Sequence, residues 1–385
     1  MHLVYADHAA TTPLRPEVRE AMGPHLGDLF GNPSSSHRWG RRALAALEEA
    51  RSTLATALGA APSEVVFTRG GTEANNMALV GSTALASPGA PIIVSAIEHK
   101  AVLDTAEHLK APVVSIPVRA GSGLDLDAFE SALSRAAVAS LMWVNNETGD
   151  ALPIAEAATL ARAAGVPFHS DAVQAVGKLP IALDEVPVDL MTLTGHKIGG
   201  PTSAGALFVR TGTDLEPLLQ GGGQERGLRP GTQDVAGAVG LAAAVQIAVR
   251  EREDKFELWS NLGDRLIAGL RQIAPGVVRN GVGLERAPHV VNVGFPGQTT
   301  DALLAALDME GIAASGGSAC SSGSGARSYV LEAIERADGG REAVPAPPPV
   351  RFSFGWSSTA EDVDRILQVV ELILTRTPAG TSASA

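Results

Sequence analysis

Cysteine is nearly absent from this chain: Cys320 stands alone among 385 residues. That excludes an intramolecular disulfide and any metal site built from several cysteines, and it suits a reducing compartment. Long apolar runs are missing too. No stretch of about 18 uninterrupted apolar residues occurs, so no membrane span is expected. The opening Met1-His2-Leu3-Val4-Tyr5-Ala6-Asp7 has neither the basic start nor the apolar middle of a signal peptide, and a cytoplasmic location is expected. Positive charge is in deficit, 30 Lys and Arg against 42 Asp and Glu, a net charge of −12. This argues against direct nucleic-acid binding, despite a local pair at Arg226 and Arg229. Lysine is the scarcest charged residue, five against twenty-five arginines.

What remains is ample for a folded core. Hydrophobic residues make up 45% and charged residues 19%, and the length suits two domains. Strand-like runs at 65–68, 91–95, 113–117, 140–144, 167–169, 188–192 and 204–209 alternate with helical spacing such as 154–164. That pattern predicts an α/β fold with a mainly parallel seven-stranded sheet covered on both faces. One continuous helix is expected over 235–273, bridging to a smaller C-terminal α+β unit with strands at 290–295 and 350–354. The expected division is 16–255 as the large domain, 1–15 with 256–376 as the small one, and 377–385 as a disordered tail. The Gly- and Pro-rich stretch 337–349 is expected to be an exposed loop.

The chain is organised around Thr194-Gly195-His196-Lys197, which follows an apolar β-branched run and precedes Gly199-Gly200-Pro201. Lys197 thus falls just past a strand end, where open α/β sheets hold their ligands. A partly desolvated lysine amine there suits a Schiff base; a loop lysine paired with a carboxylate is the alternative. Asp171 closes an earlier strand, where it either pairs with a protonated pyridine nitrogen or caps the turn into Ala172. Gln174 is placed to reach the same ligand. His99 follows a strand in the same way, either to stack on a planar cofactor and move protons or as a structural histidine. Gly70-Gly71-Thr72 opens a helix and offers an anion site, without the Gly-Lys-Ser/Thr of a P-loop. Arg351 in Val350-Arg351-Phe352 either grips a substrate carboxylate or sits in a salt bridge. Cys320, set among small residues in Gly316-Gly317-Ser318-Ala319-Cys320-Ser321-Ser322-Gly323, reads as a nucleophile on a mobile arm.

Taken together these stretches resemble the cysteine desulfurases of the NifS and IscS type, in the class V aminotransferase group. The resemblance runs through Asp7-His8-Ala9-Ala10-Thr11-Thr12, Gly31-Asn32-Pro33-Ser34-Ser35, Gly71-Thr72-Glu73-Ala74-Asn75-Asn76, Glu98-His99-Lys100, Asn145-Asn146-Glu147-Thr148-Gly149, Asp171-Ala172-Val173-Gln174, Gly195-His196-Lys197, Gly221-Gly222-Gly223-Gln224-Glu225-Arg226-Gly227 and Gly317-Ser318-Ala319-Cys320. It implies the fold-type-I transferase architecture of pyridoxal 5'-phosphate enzymes and a homodimer. It also implies Lys197 as the Schiff-base lysine, Asp171 on the pyridine nitrogen, Gln174 on the ring hydroxyl and His99 stacked on the ring. Gly71, Thr72, Thr194 and His196 would bind phosphate, joined by Thr232 from the other subunit. Asn146 and Arg351 would hold the carboxylate of L-cysteine, and Cys320 would become the persulfide. The implied acceptors are an iron–sulfur scaffold or a tRNA-thiolation protein. No permanent metal site is implied, although Cys320 is a candidate transient cluster ligand. The sequence departs from the family at Thr194, where serine is frequent, after Pro201, where lysine is common, and in the 337–349 insert. A selenocysteine lyase, another class V enzyme and a cofactor-free scaffold are the rival readings.

Overall fold

In the computed structural model, residues 3–121, 123–283, 285–317, 327–337 and 347–376 are described. Seven short strands form the central sheet, in the order Val65–Thr68, Gly205–Val209, Leu190–Thr194, Phe168–Asp171, Val138–Ser140, Ile92–Ser95, Val113–Ile116. Gly205–Val209 runs antiparallel to both neighbours, and the other six strands share one direction. Side chains alternate across the sheet, as the two-residue period requires. Val65, Phe67, Ile93, Ala139, Met191, Leu193, Ala206 and Phe208 enter one core. Val66, Ile92, Val94, Val138, Leu190 and Leu207 enter another on the opposite face. Both faces are buried, so these strands read as continuous apolar runs rather than alternating ones.

A third core gathers Val4 and Ala6 with Trp259, Leu266, Val291, Phe352 and Val370. It packs a three-stranded antiparallel sheet of Val278–Arg279, Val290–Gly294 and Pro349–Ser353 under the helices Arg252–Ile273 and Ala360–Arg376. The N-terminal Val4–Tyr5 pairs in parallel with Ile312–Ala313, which joins the first residues of the chain to this unit.

Two expectations are corrected. The helix over 235–273 is two helices, Val235–Arg250 and Arg252–Ile273, broken at Glu251. The first is built of Ala, Gly and Val and packs on Arg38–Leu58, whereas the second is amphipathic and packs on Ala360–Arg376. A straight helix would carry only one of those faces to its core. The carboxylate of Glu251 takes an ion pair from Arg15 at 2.9 Å at the break. The strand expected over 140–144 lies instead at Val138–Ser140. Beyond it, Leu141 and Trp143 N–H still donate to the His169 and Asp171 carbonyls at 3.0 and 2.9 Å, but Met142 N–H turns to the buried Glu98 carboxyl at 2.8 Å instead of a strand partner. Among the described residues no helix is long and apolar enough to cross a membrane.

Candidate active site

The carboxyl ends of the parallel strands open into a cavity of about 300 Å³. Gly71, Thr72, His99, Asn146, Asp171, Gln174, Thr194, His196, Lys197 and Arg351 all line it. Of the residues singled out in the sequence, Thr232 does not; it is exposed in the loop before Val235. Cys320 lies outside the described residues.

Lys197 ends a 3₁₀ turn, Gly195–Lys197, directly after the Leu190–Thr194 strand. The turn is braced by the N-terminal arm: Thr12 donates through Oγ1 to the His196 carbonyl at 2.8 Å, and Arg15 N–H to the Gly199 carbonyl at 2.9 Å. Gly199 has φ +80°, in the left-handed region that favours glycine. Lys197 Nζ donates to the carbonyls of Ala9 and Ala10 at 2.6 Å each. These two carbonyls hold the amine in the cavity.

Asp171 ends its own strand, buried at 5% exposure. Asn75 Nδ2 donates to Oδ2 at 2.7 Å and Val173 N–H to Oδ1 at 3.0 Å. Neutral donors thus fix both oxygens, and the negative charge is left for a cation in the cavity. Beneath it, His169 contacts Ser140 Oγ at 2.8 Å and Thr192 Oγ1 at 3.0 Å. Burial lowers the His169 pKa to about 4 despite the opposing charge of Asp171, so the ring is neutral.

His99 caps the Lys100–His108 helix: its Nδ1 accepts from Ala101 N–H at 3.0 Å, which assigns the proton of a neutral ring to Nε2. His196 is neutral. Burial first, then the charges of Lys197 and Lys178, lower its pKa to about 4. Gln174 donates to the Ala9 carbonyl at 2.9 Å and its Oε1 meets His289 Nε2 at 3.0 Å. Arg351, 1% exposed, donates to Asp7 Oδ1 at 2.6 Å and to the Asn146 carbonyl at 2.9 Å. The salt-bridge reading of this arginine is the one seen, and the residue also lines the cavity.

These residues fit pyridoxal phosphate. The helix Gly71–Leu85 begins at the cavity with no side-chain cap, leaving its first N–H groups for a phosphate. Gly70 has φ +126°, and a Cβ on Gly71 would come within 2.9 Å of Val173 Cγ2, so this helix start needs glycine at both positions. Three buried atoms around the cavity lack a hydrogen-bond partner: Asn75 Oδ1, Asn146 Oδ1 and Arg351 Nε. Buried polar atoms are rarely left so unless something else satisfies them.

A model of the class V aminotransferase family matches residues 4–366. The chain belongs to that family. Within it, a cysteine desulfurase IscS from Dictyoglomus turgidum is 42% identical over 379 residues, covering 96% of this chain and 94% of the relative. A solved NifS-like protein superposes with a TM-score of 0.88 at 32% identity, over 97% of this chain and 100% of that one. The structure of SspA in complex with cysteine gives 0.75 at 34% identity, over 91% and 98%. These likenesses place the chain among cysteine desulfurases of the IscS and NifS type.

Residue-level reading had no role for several groups at this class V site. Asn75 lies inside the Gly-Thr-Glu-Ala-Asn-Asn motif, and its signal was a polar residue on the buried face of an apolar helix. Lys178, 4% exposed and without a hydrogen-bond partner, and His289 on Gln174 gave no local signal. Glu147 was visible only as part of a motif.

Proposed function

We propose that this chain is a pyridoxal-phosphate-dependent cysteine desulfurase that takes the sulfur of L-cysteine onto Cys320 and releases L-alanine. One observation carries the reading: Lys197, Asp171 and Arg351 line a single cavity at the carboxyl ends of the parallel strands. The cysteine in the related SspA structure supports the substrate assignment.

When bound, pyridoxal phosphate supplies an electron sink for the bonds at the substrate Cα. Lys197 Nζ would hold the group at its aldehyde and would serve as the base that moves a substrate proton. Asp171 would hold the pyridine nitrogen, Gln174 the ring hydroxyl and His99 the face of the ring. Gly71, Thr72, Thr194 and His196 bind phosphate at the helix N-terminus, and in a homodimer the partner subunit's Thr232 completes the cradle. Asn146 and Arg351 take the substrate carboxylate. The Cys320 thiolate then attacks the substrate sulfur. An S–S bond forms as the C–S bond breaks, the electron pair leaves with carbon, and protonation of that carbon gives alanine. The persulfide passes to an acceptor in the cytoplasm, an iron–sulfur scaffold or a tRNA-thiolation protein. Residues 16–255 form the cofactor domain, with 1–15 and 256–376 as the domain carrying Cys320.

Cys320→Ser, loaded with cofactor, should keep the visible absorption of the wild type and lose sulfide production from L-cysteine to background. Wild-type turnover in that variant would defeat the assignment.

A further inference from the structure

Glu147 follows the cavity-lining Asn146, and its carboxyl group is fully buried. Its main chain is fixed on both sides: its N–H donates to Asn145 Oδ1 at 2.9 Å, and its carbonyl accepts from Asn292 Nδ2 at 3.0 Å. The side chain therefore points where the backbone aims it. Its Oε2 accepts from Ser328 Oγ at 2.5 Å, while Oε1 has no hydrogen-bond partner. Gly317, at φ +128°, packs against the same oxygen: a Cβ there would come within 2.7 Å of Oε2. One carboxylate oxygen thus abuts Gly317 and Ser328, the two residues that bracket the stretch containing Cys320.

Both neighbours are anchored further. Ser315 exchanges backbone hydrogen bonds with Arg351 at 3.1 and 2.6 Å, and its Oγ donates to the Gly317 carbonyl at 3.3 Å. Ser328 Oγ also accepts from Leu331 N–H at 3.2 Å at the start of the Tyr329–Ala337 helix, and Tyr329 OH donates to the Glu98 carbonyl at 2.7 Å. Burying a carboxylate is costly, and burial raises the Glu147 pKa against the opposing effects of Ser328 and Arg351. A group held at such a cost, with no part in lining the cavity, calls for a role. Three residues of chain span at most about 11 Å, so the position of Gly317 bounds where Cys320 reaches whatever path lies between.

We propose that Glu147 is a positioning residue for sulfur transfer: its carboxylate clasps both ends of the Cys320 stretch to the wall of the cofactor cavity and so sets the reach of the thiol. This rests on Cys320 being the sulfur acceptor. The clasp acts after substrate binding, because neither Gly317 nor Ser328 lines the cavity.

The test is a single turnover of the full-length, cofactor-loaded protein with L-cysteine. It follows the spectral change at the cofactor and, in quenched samples, the mass of one sulfur atom on Cys320. Glu147→Ala should give the spectral change at the wild-type rate but load Cys320 about tenfold more slowly, or slower still. Glu147→Gln keeps an acceptor for Ser328 and should load within about threefold of wild type. Ser328→Ala, which removes one contact near the surface, should fall between them, and it decides the matter should Glu147→Ala not fold. Wild-type loading in Glu147→Ala or Ser328→Ala overturns the clasp. So does loss of the spectral change in parallel with loading, since Glu147 would then serve the cavity itself. A wild-type protein that turns over without sulfur on Cys320 overturns the acceptor assignment, and the clasp with it.

Discussion

Lys197 and Asp171 divide the cavity between an amine held by two carbonyls and a carboxylate held by two neutral donors. An amine and a carboxylate lining one cavity are what a cofactor with an aldehyde at one side and a basic nitrogen at the other requires. Lys197→Ala should abolish covalent fixation of pyridoxal phosphate by borohydride, read as the intact mass after reduction; fixation at another lysine would contradict the assignment. Asp171→Asn keeps the shape and loses the charge, so it should retain cofactor while alanine formation falls by about two orders of magnitude. Lys178 behaves differently. Burial, then the charge of Lys197, lowers its pKa from 10.5 to about 7, and no hydrogen bond satisfies its ammonium. Lys178→Met should raise the unfolding free energy by about 1–3 kcal/mol. A folded-state pKa below the unfolded one means the penalty is complete below pH 7 and gone above 10.5, so the gain should follow that window in denaturant titrations.

At the scale of elements, the segment Gln224–Gly227 shows how a strained turn is kept. Glu225 and Arg226 adopt φ +46° and +56°, a conformation costly for residues with side chains. Arg51, from the Arg38–Leu58 helix, grips Glu225 through two bonds of 2.7 and 2.8 Å, and Phe67 N–H adds a third at 2.9 Å. Burial pulls the Glu225 carboxyl up, but the Arg51 bonds outweigh it and leave the pKa below the ordinary value. Removing Arg51 leaves a buried, unpaired carboxylate, so Arg51→Ala should destabilise the protein by about 3–5 kcal/mol in urea unfolding. A cost under about 1 kcal/mol would show that the pair is not needed. Little of this was legible in the sequence, because the partners are 174 positions apart and the 221–227 motif that holds Glu225 gives no sign of Arg51. The strands were legible, since burial on both faces turns each into an apolar run. Lys197 and Asp171 inherited that clarity by standing at strand ends. The break at Glu251 was hidden because helical spacing continues through it while the core it serves changes.

Across the whole molecule, the cavity draws on residues from Ala9 to Arg351, and the Arg351–Asp7 bond joins positions 344 apart. Motif order in the sequence announced that convergence, but contacts such as Ser328 to Glu147 became visible only in the fold. Burial also depresses His8, His169 and His196 to about 4. In the unfolded chain these histidines take up protons near 6.5, so unfolding binds protons between those limits. Stability should therefore be maintained above about pH 6.5 and fall as pH drops toward 4, measured by thermal unfolding across that range. Flat stability there would contradict the buried, neutral assignment.

Sulfur capture ties these scales together, and its most direct measurement is the fate of one sulfur atom. Cofactor-loaded protein is mixed with a stoichiometric amount of L-cysteine, quenched, and analysed for alanine and for peptide mass. The expected result is alanine formed in step with one added sulfur on the Cys320 peptide. Alanine released with Cys320 unmodified, or sulfur found elsewhere on the chain, would contradict it.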